Sequence, residues 1–249
     1  MIIDVLVVLS LVAIAIAISW RYRLALEKDL VVASVRAILQ LTAVAVVVTL
    51  VFKEPAAAIG FVGVMLAVAA YTSGTRLRGI PHAFPIATGA IAAGAAATLV
   101  VLFGGRVLEL TPRFVVPIAG MAIGNCMATV SIAGVRVREE IADKTSEVEA
   151  RLALGVPARR ALESYVRRAA TVALIPIVDT TKTVGLVTLP GAFTGMLLGG
   201  ASPGEAARVQ LIVLFMLMGS IAIAGMSTAL LVTRAFVAEG ERIVVPAGP

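Results

Sequence analysis

The stretch VQLIVLFMLMGSIAIAGMSTALLVT, residues 209–233, is 25 residues long and contains no charged side chain. About 20 predominantly apolar residues in a helix cross the hydrocarbon core of a bilayer. Other apolar runs of similar length recur along the chain, and they do not alternate between polar and apolar residues as the strands of a membrane barrel do. The sequence therefore predicts an all-α fold, a polytopic transmembrane helical bundle.

The composition supports a membrane protein. Hydrophobic residues make up 60% of the chain, and charged residues make up 14%, against about 25% in a soluble domain. We attribute the net charge of +6 to basic cytoplasmic loops, so no nucleic-acid partner is expected. The single cysteine, Cys126, excludes an intramolecular disulfide, and the single histidine, His82, excludes a histidine-rich metal site.

Seven spans are predicted within a single transmembrane domain, residues 1–249. Their approximate ranges are 2–20, 32–52, 56–74, 84–103, 114–135, 183–199 and 209–233. With the N-terminus outside, the inner loops carry 15 Lys and Arg residues and the outer loops carry four. Because basic residues favour the cytoplasmic side, we expect the N-terminus outside and the C-terminus inside, in a multi-pass protein of the cell (inner) membrane.

The first apolar run and residues 171–199 differ from the other predicted spans. The first apolar run carries Asp4 and lacks a basic leading segment, which favours an uncleaved first span over a signal peptide. Residues 171–199 are interrupted by the polar segment 179–182, so we expect an interfacial lead-in up to Asp179 and then a short span broken near Pro190-Gly191. Asp179 and Lys182 are three residues apart on a helix and could neutralise each other.

Charge concentrates in residues 136–168, which hold eight of the 21 Lys and Arg residues and six of the 15 Asp and Glu residues. Helical periodicity predicts two short helices here, separated at Gly155 and Pro157. Apolar faces are predicted from Ile141, Thr145, Val148 and Leu152 in the first helix, and from Ala161, Leu162, Tyr165, Val166 and Ala169 in the second, opposite Arg159, Arg160, Arg167 and Arg168.

This charged region has two interpretations. It is a solvated loop followed by a surface helix whose arginines contact anionic lipid, or it is a docking element for a cytoplasmic partner. The segment EARLALG, residues 149–155, has the Glu-Ala-x-x-x-x-Gly spacing of the coupling loops of ABC permeases. On the second interpretation residues 136–182 form a cytoplasmic coupling loop, and its candidate coupling residues are Glu147, Glu149, Ala150, Leu152, Leu154 and Gly155.

ATP binding is expected only through a partner. None of the four lysines follows a glycine, so the sequence contains no Gly-x-x-x-x-Gly-Lys-Ser/Thr loop. The chain is therefore predicted not to be an enzyme and to bind no cofactor directly.

Small residues recur every fourth position in two predicted spans, as Gly120 and Gly124, and as Gly191, Gly195 and Gly199. Such ridges allow helix backbones to approach closely within a membrane. Ordinary packing within the chain explains the first ridge well. For the second, which adjoins the Pro190-Gly191 break, we favour a transport pathway or a dimer interface.

Few polar side chains lie within the predicted spans. Arg36 and Gln40 are one turn apart, and either Arg36 extends to the inner surface or both residues face a polar cavity. Asn125 lies deep in the fifth span and needs a hydrogen-bond partner. Methionines cluster in the last three spans, where we favour packing over binding of a soft metal. The sequence displays no recognisable ion site, so the metal ligands are unknown.

Five segments carry a family resemblance. RAILQL (36–41), PIAGMAIGN (117–125), EARLALG (149–155), VGLVTLPGAFTGMLLGGASPGEAARVQ (184–210) and the apolar run after it resemble the FetB-like, or Fet-type, iron-export ABC transporter permeases. These are related to the membrane half of a plant aluminium-tolerance transporter. The resemblance covers nearly the whole chain, and its most specific part runs from Leu189 to Gln210. Gln210 is a further candidate pathway or helix-packing residue.

The resemblance implies a membrane permease subunit that pairs with a separate cytoplasmic ATPase and with a second copy of itself. It also implies export, with iron as the proposed cargo. Two other functions remain open from the residues alone. One is a stand-alone ion-coupled secondary transporter that uses Asp179 and Lys182. The other is a non-transporting membrane scaffold that recruits a cytoplasmic partner.

Overall fold

The structure is a computed structural model that describes residues 2–238 and 242–243, with side chains described for residues 7–238 and for Ile243. The side chains of Asp4 and Arg242, on which part of the predicted topology depends, lie outside the described residues. Nine α-helices are described: α1 Ile2–Tyr22, α2 Glu27–Val51, α3 Pro55–Arg76, α4 Ala83–Leu99, α5 Pro112–Asp143, α6 Thr145–Ala153, α7 Ala158–Thr183, α8 Gly191–Leu198 and α9 Pro203–Ala235. A π-helical turn, Val100–Gly104, extends α4, and the short strands β1 (Val237–Ala238) and β2 (Arg242–Ile243) pair antiparallel after α9.

Five of these helices are long and apolar enough to cross a membrane. They are α2, α3, α4 with its π-helical turn, α5 and α9, and the segment Val7–Tyr22 of α1 forms a shorter apolar helix. The chain is thus an all-helical, polytopic membrane protein, as predicted. The seven-span count and the orientation with the N-terminus outside stay predictions.

The predicted placement of the sixth span over 183–199 is wrong. α7 continues without interruption to Thr183, and α8 is only eight residues long, which is about 12 Å and far short of the hydrocarbon core. The break occupies residues 184–190, where Gly185 adopts a φ of +82° and Pro190 caps the start of α8. A left-handed φ favours glycine, so the chain turns at Gly185, ahead of the Pro190-Gly191 break that the sequence suggested.

The predicted fifth span ends where charge begins rather than where the helix ends. α5 starts at Pro112, with Thr111 as N-cap, and runs through 32 residues to Asp143. It is about 48 Å long, so a helix that crosses a core of about 30 Å extends well beyond it. The charged segment from Arg136 onward is therefore the projecting end of a spanning helix.

The chain groups into two compact units, Met1–Ala57 and Ala58–Pro249. In the first unit α1 and α2 form a hairpin. The Ser19 hydroxyl donates to Glu27 Oε1 at 2.8 Å, and the backbone N–H of Leu26 donates to Ser19 Oγ at 3.1 Å. Because Ser19 is buried, these two bonds fix the turn between the helices.

The second unit is built on α4, α5 and α9, which pack against one another, with α7 against α5 and α9. Helices α4 and α9 approach closely at Gly94, where an added Cβ would lie 2.5 Å from the Ser220 carbonyl oxygen and 2.8 Å from Cys126 Sγ. Alanine is the most frequent residue in the buried cluster that contains Cys126 and Ala224. Small residues allow the helix backbones to come close enough for tight van der Waals packing in a membrane.

Candidate functional site

Helix α6 ends at a glycine-dependent cap. Gly155 has a φ of +81°, its N–H donates to the Leu152 carbonyl at 2.9 Å, and the Val156 N–H donates to the Arg151 carbonyl at 3.1 Å. These two bonds form a Schellman motif, which requires a left-handed residue at this position. Pro157 then caps α7, so the predicted break at Gly155 and Pro157 is confirmed.

Helix α6 is fixed to its neighbours by burial and by Arg151. Val148 is fully buried in the same cluster as Ile141 of α5 and Leu162 of α7, and Leu152 packs against that cluster. Arg151 forms an ion pair with Glu147 at 2.6 Å and donates to the Ala161 carbonyl of α7 at 3.2 Å. Helix α6 is therefore held to the helices on both sides of it.

The charged ends of α5 and α7 are also joined directly. Arg168 of α7 forms an ion pair with Glu140 of α5 at 3.3 Å, and the Glu140 side chain is only 11% exposed. The guanidinium groups of Arg151 and Arg168 lie 5.8 and 6.0 Å from the centre of the buried Tyr165 ring. This cluster links α5, α6 and α7 at one end of the second unit.

The candidate coupling residues divide into an exposed set and an anchored set. Glu149, Ala150, Leu154 and Gly155 are exposed, and Leu154 reaches 84% exposure. Leu152 is half-buried against the core, and Glu147 is paired with Arg151. The residues of the Glu-Ala-x-x-x-x-Gly spacing therefore lie on a surface that another protein can contact.

A cavity of about 420 Å³ lies between α5, α7, α8 and α9. Four of the sequence-predicted pathway residues line it: Asn125, Pro190, Gly191 and Gln210. Thr129 and Thr180 add hydroxyl groups, while the remaining lining is largely apolar. We call this space the amide cavity. The six residues named here come from segments far apart in the sequence.

Gln210 is the most unusual group in the amide cavity. It is 6% exposed, and its Oε1 is buried without a hydrogen-bond partner in the described part of the chain. A buried, unsatisfied amide costs about 1–3 kcal/mol, so its presence needs a reason other than stability. Asn125, by contrast, has a hydrogen-bond partner in its own helix, because its Nδ2 donates to the Met121 carbonyl at 2.9 Å.

The other predicted pathway residues lie elsewhere. Asp179 and Lys182 are exposed and form no ion pair within the described residues, so they do not neutralise each other as the sequence suggested. Arg36 and Gln40 are exposed on α2 of the first unit. Gly120 is close to the Met65 side chain of α3, as expected for packing within the chain.

The glycines of α8 have open surroundings. A Cβ added at Gly191 or Gly195 would meet nothing within 4 Å, and one added at Gly199 would meet only carbonyl oxygens of its own segment. Gly124 is also open. No helix of the described chain therefore packs closely on this face of α8.

Sequence reasoning missed Thr129 and Thr180 in the amide cavity and the close approach at Gly94. Thr129 lies one turn after Asn125, a spacing that could have marked it. Thr180 belongs to the polar segment 179–182, in which only the charged residues Asp179 and Lys182 were predicted to have a role. Within the described residues no group of three His, Cys, Asp or Glu side chains is arranged to hold a metal ion.

Comparison with known proteins identifies relatives over nearly the whole chain. The model of the uncharacterised protein family UPF0014 matches residues 2–237. The chain is 40% identical to the UPF0014 membrane protein STAR2 of Oryza sativa subsp. japonica, over 91% of this chain and 80% of the relative. It is 34% identical to Protein ALUMINUM SENSITIVE 3 of Arabidopsis thaliana, over 94% of this chain and 87% of the relative.

The chain also has a bacterial relative. The chain is 35% identical to the Probable iron export permease protein FetB of Escherichia coli (strain K12), over 95% of this chain and 92% of the relative. The resemblance drawn from the sequence motifs is therefore confirmed. No solved structure matches the chain significantly.

Proposed function

The chain belongs to the UPF0014 family, and on that premise we propose that it is the membrane-spanning permease subunit of an ABC-type exporter, driven by a separate ATPase subunit. The FetB relative is named a probable iron export permease, which supports both a permease role and iron as the cargo. The polytopic helical fold and the amide cavity supply the two parts that a permease needs, a membrane bundle and a lined internal space.

One observation carries the proposal: α6 is joined to α5 and α7, and both of those long helices line the amide cavity. Asn125 and Thr129 reach the cavity from α5, and Thr180 reaches it from α7. Force applied to α6 is therefore applied to two walls of the cavity. Rigid helices with buried anchors transmit such a displacement because packed cores resist deformation.

The ATPase subunit is proposed to bind the exposed residues Glu149, Ala150, Leu154 and Gly155 from the cytosol. Closure of the ATPase pair then pushes α6, and α5 and α7 tilt with it. Leu154 supplies an exposed apolar contact of the kind that fits a pocket at a protein interface. ATP hydrolysis belongs to the partner, and this chain contributes the pathway.

A second copy of the chain is proposed to complete the transporter. The open glycine face of α8 offers a surface on which another helix can approach closely, since no side chain of the described chain occupies it. Because Pro190 and Gly191 line the amide cavity, contact along α8 would place two cavities near a shared interface.

The cargo is proposed to be a metal ion, with iron as the first candidate. The amide cavity offers neutral oxygen atoms from side chains such as Asn125, Thr129 and Gln210, and the sulfur of Met121 lies among them. Oxygen atoms of this kind bind a partly hydrated cation weakly enough to release it. Transit, rather than storage, is the role that such a lining supports.

The proposal is tested by purifying the tagged chain from the membranes of the cells that naturally produce it. A P-loop ATPase should copurify and be identified by mass spectrometry, and Glu149→Lys should reduce its recovery without reducing the amount of inserted permease. The matched control is Glu139→Lys, which makes the same charge change on the exposed end of α5, outside α6. Equal recovery of the ATPase with both variants would refute the docking role of α6.

A further inference from the structure

A second, larger groove lies at the charged end of the bundle, between the first half of α7 and the last turns of α9. Its volume is about 760 Å³. It is separate from the amide cavity and shares no lining residue with it. We call it the arginine groove, and its main lining residues are Arg159, Arg160, Glu163, Val166, Arg167, Met226, Leu230, Thr233, Arg234 and Val237.

The rim of the arginine groove is positively charged. Arg167 is neutralised by Glu163, with which it forms an ion pair at 3.0 Å. Arg159, Arg160 and Arg234 are exposed and make no ion pair with any described residue. Three guanidinium groups with no carboxylate partner among the described residues therefore line one opening.

The floor of the groove is apolar. Val166 is buried, whereas Met226 and Leu230 are 46% and 40% exposed and face the open space. Thr233 donates its hydroxyl to the Ala229 carbonyl of its own helix at 2.7 Å. An apolar surface left open beneath a charged rim favours an occupant that has both a charged and an apolar part.

The dimensions of the groove fit such an occupant. Met226 and Arg234 are eight residues apart on α9, so the floor extends about 12 Å along the helix below the rim. Arg234 is in the last turn of a helix of 33 residues, about 50 Å long, which puts this end near the membrane–water boundary. Phosphate is bound well by arginine, whose planar guanidinium donates two parallel hydrogen bonds.

We propose that the arginine groove is a specific binding site for one anionic phospholipid. The phosphate binds between Arg159, Arg160 and Arg234, and an acyl chain lies over Met226 and Leu230. The bound lipid holds the start of α7 against the end of α9, next to the coupling end of the protein. This site goes beyond the proposed transport function and does not depend on the cargo or on the ATPase.

The test uses the full chain in bilayers with a reporter in the floor. The only tryptophan, Trp20, is exposed on α1, so the background is Trp20→Phe. Leu230→Trp then reports quenching by brominated phosphatidylglycerol or brominated phosphatidylcholine at equal mole fractions. A second reporter, Phe215→Trp, lies at a 61% exposed position of α9 outside the groove and reads out bulk lipid.

The Leu230→Trp reporter should prefer phosphatidylglycerol, and the Phe215→Trp reporter should not. Arg234→Gln should lower the preference about fivefold, because a basic side chain near an anionic surface contributes about 1 kcal/mol. Replacing Arg159, Arg160 and Arg234 together by Gln should abolish the preference. The matched control replaces three exposed arginines elsewhere, Arg106, Arg113 and Arg208, and should retain it.

Several outcomes would overturn the proposal. Equal preference at both reporters, or equal loss in the control triple variant, would mean that the lipid responds to net charge and not to the groove. Displacement of the phosphatidylglycerol preference by added inorganic phosphate would assign the site to a soluble phosphate. Unchanged lipid preference in the triple variant, with loss of the copurified ATPase, would assign these arginines to a protein interface.

Discussion

Replacing Val148 with alanine tests whether α6 is anchored to the bundle. Val148 is fully buried, and its side chain joins α6 to the cluster that contains Ile141 of α5 and Leu162 of α7. Removing two buried methyl groups costs about 2 kcal/mol when the surroundings do not collapse into the space. Val148 is one of the residues that anchor α6. Its loss should therefore lower the free energy of local opening of α6 and not the stability of the whole bundle.

Hydrogen exchange of the purified protein in detergent or nanodiscs measures this local opening. A cost of about 2 kcal/mol should speed exchange of the α6 amides about 30-fold, while amides in the middle of α5 and α9 keep their rates. The control is Val187→Ala at a 77% exposed position in the turn before α8, which should leave α6 unchanged. In Val148→Ala the copurified ATPase should still bind and hydrolyse ATP, but transport per ATP should fall.

Two results would refute this reasoning. Exchange of α6 at wild-type rates in Val148→Ala would mean that the buried contact does not hold the helix. Fast exchange with undiminished transport per ATP would mean that α6 need not be rigidly joined to α5 and α7.

Three further predictions follow from close approach, buried polarity and capping. Gly195→Leu should leave the helical content and the monomer intact, because an added side chain meets nothing within 4 Å, but it should reduce dimer recovery in size-exclusion chromatography with light scattering. Gly94→Leu should instead prevent folding, because a Cβ there would lie 2.5 Å from the Ser220 carbonyl. Gln210→Leu should raise the melting temperature, because it removes a buried, unpaired oxygen, yet lower iron efflux from proteoliposomes; a lower melting temperature would contradict this. Ser202→Ala should speed exchange of the Glu205 amide without affecting the middle of α9, because it removes the Ser202–Glu205 capping box, and unchanged exchange would mean that the cap is dispensable.

The sequence predicted the second helix of the charged region well because local periodicity controls it, whereas the first predicted helix is divided at Lys144 between α5 and α6. Ala161, Leu162 and Tyr165 are buried and Arg159 is exposed, as the 3.6-residue repeat requires. Gly155 marked the end of α6 because few other residues adopt its backbone conformation easily. Such signals depend on residues close in the chain, and the sequence alone contains them.

The sequence was misleading where tertiary packing decides the outcome. Apolar residues 183–199 resemble part of a span by hydropathy, but the left-handed turn at Gly185 divides them from α7, and α8 is too short to cross. The amide cavity joins residues such as Asn125 and Gln210, and no local pattern brings them together. Gly94 gave no signal among 22 glycines, because its role depends on which helix lies opposite.

Site-directed labelling of α6 shows whether this helix faces the cytosol and binds the ATPase there. Leu154→Cys is introduced into a Cys126→Ser background, and a membrane-impermeant maleimide is applied to right-side-out and to inverted vesicles that contain the copurifying ATPase. We predict labelling only in inverted vesicles, with protection while the ATPase is bound and full reaction after it is stripped from the membrane. Labelling only from the outer face, or equal labelling with and without the ATPase, would contradict it.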